Sequence, residues 1–250
     1  MSENHSNHNN NTSRVEEITA ILRTEILLGQ YRPGERMPSE RDLAARFEVN
    51  RGAVREALKK LEQLGIADIK PGGVRVVPIQ EATLEVLGHL MDLDEIPNPK
   101  LITQLFEVFS ALMSISVRTA TEKADDSQLN ILQGHAARLI ASRDCPLEHQ
   151  ENWKAFADCL SEINDNLVLR LIGNGLKTQF VGRLEKIGLL IDPQKRGMGD
   201  DLKTLDNAIL NRDGDLAAQV IRNHFQTISA VITRELDAAN KESERRAPHA

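Results

Sequence analysis

Two arginines set four residues apart, Arg51 and Arg55, carry the most specific chemistry in this chain. On a helix, residues at that spacing share a face. A guanidinium presents a planar fork of donors that matches the O6 and N7 acceptors of guanine, and each good pair discriminates against a wrong base by about 1–3 kcal/mol. The neighbours suit a helix end that meets a nucleic-acid groove. Asn50 is a small polar side chain at the edge, while Gly52 and Ala53 are small enough to let the backbone approach closely. Arg41, Lys59, Lys60, Lys70 and Arg75 are placed to reach phosphates, and Gly72-Gly73 forms a tip narrow enough for a minor groove. Alone, Arg51, Arg55, Lys59 and Lys60 would read as a solvated helix face. The elements that must hold them decide between the two readings.

Pro38-Ser39-Glu40-Arg41-Asp42-Leu43-Ala44 and Val49-Asn50-Arg51-Gly52-Ala53-Val54-Arg55-Glu56-Ala57-Leu58 read as two short helices joined by a tight turn. Ser39 is the expected N-cap of the first, with Glu40 and Asp42 in its positive first turn. Leu43, Ala44 and Phe47 face inward. The second spans 51–64, with Val54, Leu58 and Leu61 on its buried face and Gly65 as its stop. A longer helix is expected upstream over 13–28, since Val15, Ile18, Leu22 and Ile26 recur at helical spacing and Ser13 with Glu16 forms a capping-box pattern. Downstream, 66–69 and 74–77 read as two strands turned by Pro71-Gly72-Gly73. Three helices and then a hairpin is the order of a winged helix-turn-helix, whose last helix presents its N-terminal side chains to DNA bases. That order turns Arg51 and Arg55 from surface charges into candidate base readers.

The 250 residues suffice for two modest domains. Only 3% are aromatic, so the core must be built mainly from Leu, Ile, Val and Ala, which favours helices. Beyond a boundary near residue 80 nearly everything reads helical: 81–93, 99–123, 125–143, 147–164, 165–190, 200–211 and 213–240. The expected fold is therefore mainly α, a winged helix-turn-helix with a small β-hairpin wing followed by an all-α effector bundle. The expected domains are a disordered polar tail at 1–12, the DNA-binding domain at 13–78, a linker or connecting helix at 79–98, a helical ligand-binding and dimerisation domain at 99–240, and a frayed tail at 241–250. The net charge of −6 argues against indiscriminate nucleic-acid binding. Residues 1–80, however, hold 12 Lys and Arg against 11 Asp and Glu, so the acidic excess lies wholly in the remainder. No apolar run looks long enough to span a bilayer. With no signal-peptide pattern and only Cys145 and Cys159 as cysteines, a cytoplasmic location and no membrane partner are expected. The chain shows no nucleophile elbow, no Gly-rich phosphate loop and no paired metal ligands, so an enzyme is not expected. Asp200-Asp201 reads as a helix start.

The segment 15–78 resembles the GntR family of bacterial regulators. The likeness rests on the loop Tyr31-Arg32-Pro33-Gly34, the two motifs quoted above, and Leu61, Leu64 and Gly65. It implies that Arg41, Arg51 and Arg55 make the main contacts to a pseudo-palindromic operator, with the wing around Gly72 assisting, in a homodimer. An all-helical second domain points to the FadR-type branch. Many members of that branch hold a metal with one Asp and three His. Here the corresponding positions are Trp153, Ala157, Leu202 and His224, so no metal and no cofactor is expected.

The second domain is also similar to the fatty-acid-responsive members, which bind long-chain acyl-CoA without metal. The likeness lies in 101–120 and in Leu171-Ile172-Gly173-Asn174-Gly175-Leu176-Lys177. It implies an effector cavity lined by Leu105, Phe106, Phe109, Phe156 and Phe180, with Asn223, His224 and Gln226 nearby. An expected Arg is Phe109, an expected Tyr is Phe180, and Asn223, Gln226 and Ala230 replace small residues and a Trp. Two alternatives stand beside acyl-CoA or a fatty acid: another carboxylate metabolite, and a constitutive DNA-binding dimer with no effector. Each of the five apolar residues also reads as ordinary core.

Overall fold

Polar side-chain caps fix where several helices begin in this computed structural model, which describes residues 4–93, 97–189 and 201–246. It divides into two units, Met1–Leu93 and Asp94–Ala250. In the first, α1 runs Asn4–Leu27. The expected start at Ser13 is thus corrected, since residues 4–12 of the expected tail are helical, while residues 1–3 lie outside the described residues. Nothing between Asn4 and Leu27 is Gly or Pro, so once nucleated the helix has no stop upstream of Ser13. α2 (Glu40–Arg46) starts on Ser39, whose Oγ accepts from the Asp42 amide at 3.2 Å. α3 (Arg51–Gln63) starts on Asn50, whose Oδ1 accepts from the Ala53 amide at 2.8 Å. Gly65, at φ +73°, ends α3. A Cβ there would lie 3.1 Å from the Ala82 backbone, so only glycine fits the turn.

β1 (Ala67–Lys70) and β2 (Gly73–Val76) pair antiparallel, with Ala67 opposite Val76 and Lys70 opposite Gly73. The turn is therefore Pro71-Gly72 alone, one residue tighter than expected, because Gly73 already belongs to the ladder. Residues 34–37 lie along the free edge of β2: the Met37 amide donates to the Val74 carbonyl at 2.9 Å, and Val76 donates to Glu35 at 3.0 Å. Ile18, Leu22, Leu43, Val54, Leu58, Leu61 and Ile66 fill one core beneath the hairpin. Arg46 and Tyr31 close its margin on the carboxylate of Glu25. The expected linker does not begin near residue 80. A 3₁₀ turn (Ile79–Glu81) and α4 (Val86–Met91) still belong to this unit, since Val86 joins its core and the Thr83 amide bonds the Leu64 carbonyl at 2.9 Å.

The second unit contains α5 (Pro99–Lys123), α6 (Asp126–Ala141), α7 (Pro146–Asn164), α8 (Leu167–Leu189), α9 (Asp201–Leu210) and α10 (Gly214–Arg246). Proline at the first turn starts α5 and α7, where its missing N–H costs nothing. A reciprocal Asp125–Gln128 box starts α6. α10 continues to Arg246, through part of the tail expected to fray, because 215–247 contain no breaker. The stretch expected to separate the helices at 165–190 and 200–211, and Asp200 of the acidic pair, lie outside the described residues. α5 is central, packing on α10, α7 and α8. Against expectation, it is long and apolar enough to cross a membrane by length and composition. Its apolar content has another use: Ile102, Leu105, Phe106, Met113, Val117 and Ala120 are buried inside the unit.

Candidate nucleic-acid interface

At the N-terminal end of α3 the two predicted base readers behave differently. Arg55 donates from Nε and Nη2 to both carboxylate oxygens of Glu40 on α2, at 3.1 and 2.9 Å. That fork, with the charge of Arg51 nearby, holds the Glu40 carboxyl below its ordinary range, the hydrogen bond from Arg55 contributing most. Arg51 is exposed and, among the described residues, donates to no protein acceptor. One guanidinium is thus held in a fixed plane while its neighbour on the same face keeps all its donors free. The pair is presented by a capped helix end, where oriented amides already favour an anion.

Ala53 is corrected by the structure. It is only 2% exposed, packed in the core, so its side chain cannot meet a groove. Its small size serves the packing of α3 instead. Gly52 protects the cap, since a Cβ there would come within 3.0 Å of Asn50 Oδ1. Asn50 stays exposed, but its oxygen is committed to the cap, leaving its amide donors for a partner. Arg41 is exposed beside Asp42, at 3.6 Å. Lys59 pairs with Glu56 at 2.9 Å, and Lys60 pairs with Glu16 on α1. These are exposed surface pairs, worth about 0–1 kcal/mol each, which a phosphate can displace.

On the wing, Lys70 pairs with Asp68 at 2.6 Å and Arg75 donates to the Gly34 carbonyl at 2.8 Å. Gly72 and Gly73 both have positive φ. Sequence reasoning missed Arg36, which bridges to Arg75 across the edge of β2 and lies against Gly73. It also missed Glu40 as the partner of Arg55. Both depend on pairings between segments that no local pattern displays.

In the helical unit the expected effector residues separate into several places. Leu105 and Phe156 are buried in the core. Phe106 and Gln226 line a groove of about 770 Å³ between α5 and α10, with Arg222, Phe225 and Arg234. Asn223 lines a second hollow with Arg118 and Asp215. Phe109 meets Phe225 edge-on at 5.0 Å. The side chain of Phe180 lies outside the described residues. His224 is buried in an aromatic cluster, 5.1 Å from Trp153 and 5.4 Å from Phe225 between ring centres. Trp153 Nε1 donates to His149 Nε2 at 2.9 Å, which places the His149 proton on Nδ1, facing the Leu139 carbonyl at 3.1 Å. Sequence reasoning had no signal for His149.

The metal held by many FadR-type proteins does not fit here. Trp153, Ala157 and Leu202 offer no lone pair to a cation, and Leu202 is buried among apolar side chains. Among the described residues no three His, Cys, Asp or Glu gather around one point.

Comparison with known proteins follows this division. Residues 14–77 match the family described as bacterial regulatory proteins, gntR family, and residues 104–227 match the FCD domain. An uncharacterised HTH-type transcriptional regulator of Mycobacterium tuberculosis is 27% identical over 85% of this chain and 87% of its own length. The HTH-type transcriptional repressor NanR of Citrobacter rodentium is 27% identical over 86% and 82%. A solved structure of Lar, described as controlling the agr system of Listeria monocytogenes, covers 88% of this chain and 96% of its own at a TM-score of 0.55 and 17% identity, a likeness of fold. These relatives are regulators rather than enzymes. The two matches fall on the winged helix and on the helical unit, and the chain belongs to the GntR family of bacterial regulatory proteins, with an FCD domain as its second part.

Proposed function

We propose that this protein is a homodimeric repressor of the FadR-type branch whose hold on a pseudo-palindromic operator is released by a small-molecule effector, an acyl-CoA, a fatty acid or another carboxylate metabolite. The observation that carries the reading is the end of α3, where Arg51 stands free beside an Arg55 fixed by Glu40. Two such ends, about 34–36 Å apart, match one turn of DNA. Arg41, Asn50, Arg51 and Arg55 contact the half-site, Gly52 keeps α3 capped, Lys59, Lys70 and Arg75 meet phosphates, and the Gly72-Gly73 tip enters the minor groove.

The dimer is supported by apolar side chains that the helical unit leaves exposed. Leu167, Val168, Leu171 and Ile172 form a stripe at helical spacing on α8, and Val108 and Ile115 are exposed on α5, which packs beside it. Contiguous exposed apolar surface of that kind marks an interaction site. The repressor sign follows NanR, which is named a repressor. The protein acts where the DNA is, in the cytoplasm.

The effector is placed in the α5–α10 groove. Phe106, Phe225 and Ala230 supply an apolar floor there, and the cations Arg222, Arg234 and Lys241 outnumber the carboxylates Glu107 and Asp237. A group with an apolar body and an anionic end fits that lining, whether the carboxylate of a fatty acid, the phosphates of its acyl-CoA or the carboxylate of another metabolite. Binding shifts the population toward a state in which the two recognition ends no longer match the operator. A thermal-shift screen against acyl-CoAs, fatty acids, small carboxylates and divalent metals identifies the class, since a ligand at a hundred times its dissociation constant stabilises by about 2.7 kcal/mol. The hit is then titrated against operator binding. A ligand that occupies the helical unit and leaves DNA affinity untouched would sink the regulatory reading.

A further inference from the structure

The outward face of the wing carries a charge arrangement that folding alone disfavours. Arg36 stands opposite Arg75 across the edge of β2. Directly opposed residues of antiparallel strands project on the same side, where like charges destabilise the pair. On β1, Asp68 is opposite Arg75 and Lys70 is opposite Gly73. That face therefore holds Arg36, Lys70 and Arg75 against the single carboxylate of Asp68, which is already engaged by Lys70 at 2.6 Å. Arg75 turns its Nη1 to the Gly34 carbonyl at 2.8 Å. Arg36 is exposed and, among the described residues, donates its side chain to no acceptor.

Its guanidinium has a seat instead of a partner. A Cβ at Gly73 would lie 2.7 Å from Arg36 Nε and 3.0 Å from Nη2, so the missing side chain at 73 makes room for the arginine plane. Gly73 is held at φ +127°, a conformation that L side chains rarely adopt. Beside it, Gly72 has nothing within 4 Å of where a Cβ would project. The hairpin tip is thus a narrow glycine ridge with one flat, unpaired cation lying along it. A narrow minor groove over an A·T tract concentrates negative potential and draws in arginine of this kind.

We propose that Arg36, seated on Gly73, is an additional specificity-determining contact, entering the minor groove beside each half-site and selecting A·T-rich flanks through groove width. The proposal rests on the DNA-binding reading above and adds to it a residue outside the two helix motifs. Local rules broken without a structural gain mark functional positions, and an unneutralised Arg36–Arg75 pair is such a break.

The test is selection of binding sites from random DNA by the full-length protein, followed by affinities on the selected core with A·T or G·C flanks. Wild type is expected to prefer A·T flanks by on the order of tenfold. Arg36→Ala should lose that preference and keep the core sequence. Arg36→Lys, which keeps charge without the plane, should also lose it while keeping the salt dependence. Gly73→Ala, which unseats the guanidinium, should behave like Arg36→Ala. A flank preference surviving in Arg36→Ala overturns the proposal. So does an equal loss on both flanks, which is the behaviour of a phosphate contact. Failure of the wild type to select any core would overturn the DNA-binding reading, and this inference with it.

Discussion

Arg51 and Arg55 share a face yet should respond differently to change. Arg51→Ala is expected to abolish specific operator binding while shifting stability by no more than about 0.5 kcal/mol, as for other exposed sites. Gel shift and thermal unfolding together check this, and a large drop in stability would mean that Arg51 is structural. Glu40→Gln should free Arg55 from its fork. Non-specific affinity then rises, because a negative charge has left the phosphate-facing surface, while discrimination at the base read by Arg55 falls. Competition between operators differing at that base measures it, and undiminished discrimination would show that Glu40 does not position Arg55. At this scale the sequence was legible where type and spacing sufficed, as for the two arginines. It was illegible where a small residue suits two surroundings. Ala53 fits a groove or a core equally well by composition, and only the packing of α3 chose the core. Arg36 was hidden because its neighbours, Gly73 and Arg75, are set by strand pairing across the intervening α2, α3 and β1.

The helices were legible largely through their ends. Ser39, Asn98 and Asp125 cap where a polar side chain precedes an apolar repeat, and prolines mark the first turns of α5 and α7. The misread helix start is the one where a cap pattern appeared without a breaker. Ser13 and Glu16 have capping-box spacing, but the helix runs past them to Asn4. Asn50→Ala should cost about 1 kcal/mol through loss of the cap, seen as a lower midpoint in urea with an unchanged slope. Operator binding should weaken as well, because the same residue orients the end that carries Arg51. The α8 stripe makes a separate claim. Val168→Glu with Leu171→Glu should convert a dimer to a monomer in sedimentation while leaving the helical content intact. A protein that stays dimeric with both changes would place the interface elsewhere.

For the molecule as a whole, the buried imidazole of His224 sets a pH dependence. Burial first, and then repulsion from His149 whenever that ring is also protonated, push its pKa down to about 4 from 6.5. Folded, the ring is neutral through most of the acid range, whereas the unfolded chain takes up a proton below about 6.5. Stability from this group is therefore fully present above about pH 6.5 and is lost as pH falls toward 4, by on the order of 3 kcal/mol. Circular dichroism melts across that window should show the decline, and His224→Phe should flatten it. An equally steep decline in that variant would assign the effect to other groups. None of this was visible beforehand, because burial and the neighbouring His149 arise from packing between α7 and α10.

Trp153 is the chain's single tryptophan, and its ring lies against Phe156, His224 and Phe225. Indole emission from this protein therefore originates wholly in the helical unit, and the winged helix, which holds the chain's one tyrosine, Tyr31, but no tryptophan, contributes none of it. Any change in that emission when operator is added must have travelled between the two units. Linkage then demands that an effector alter operator affinity by the same factor that operator alters effector affinity. One ring thus gives a spectroscopic channel through which both halves of the cycle are read without a label.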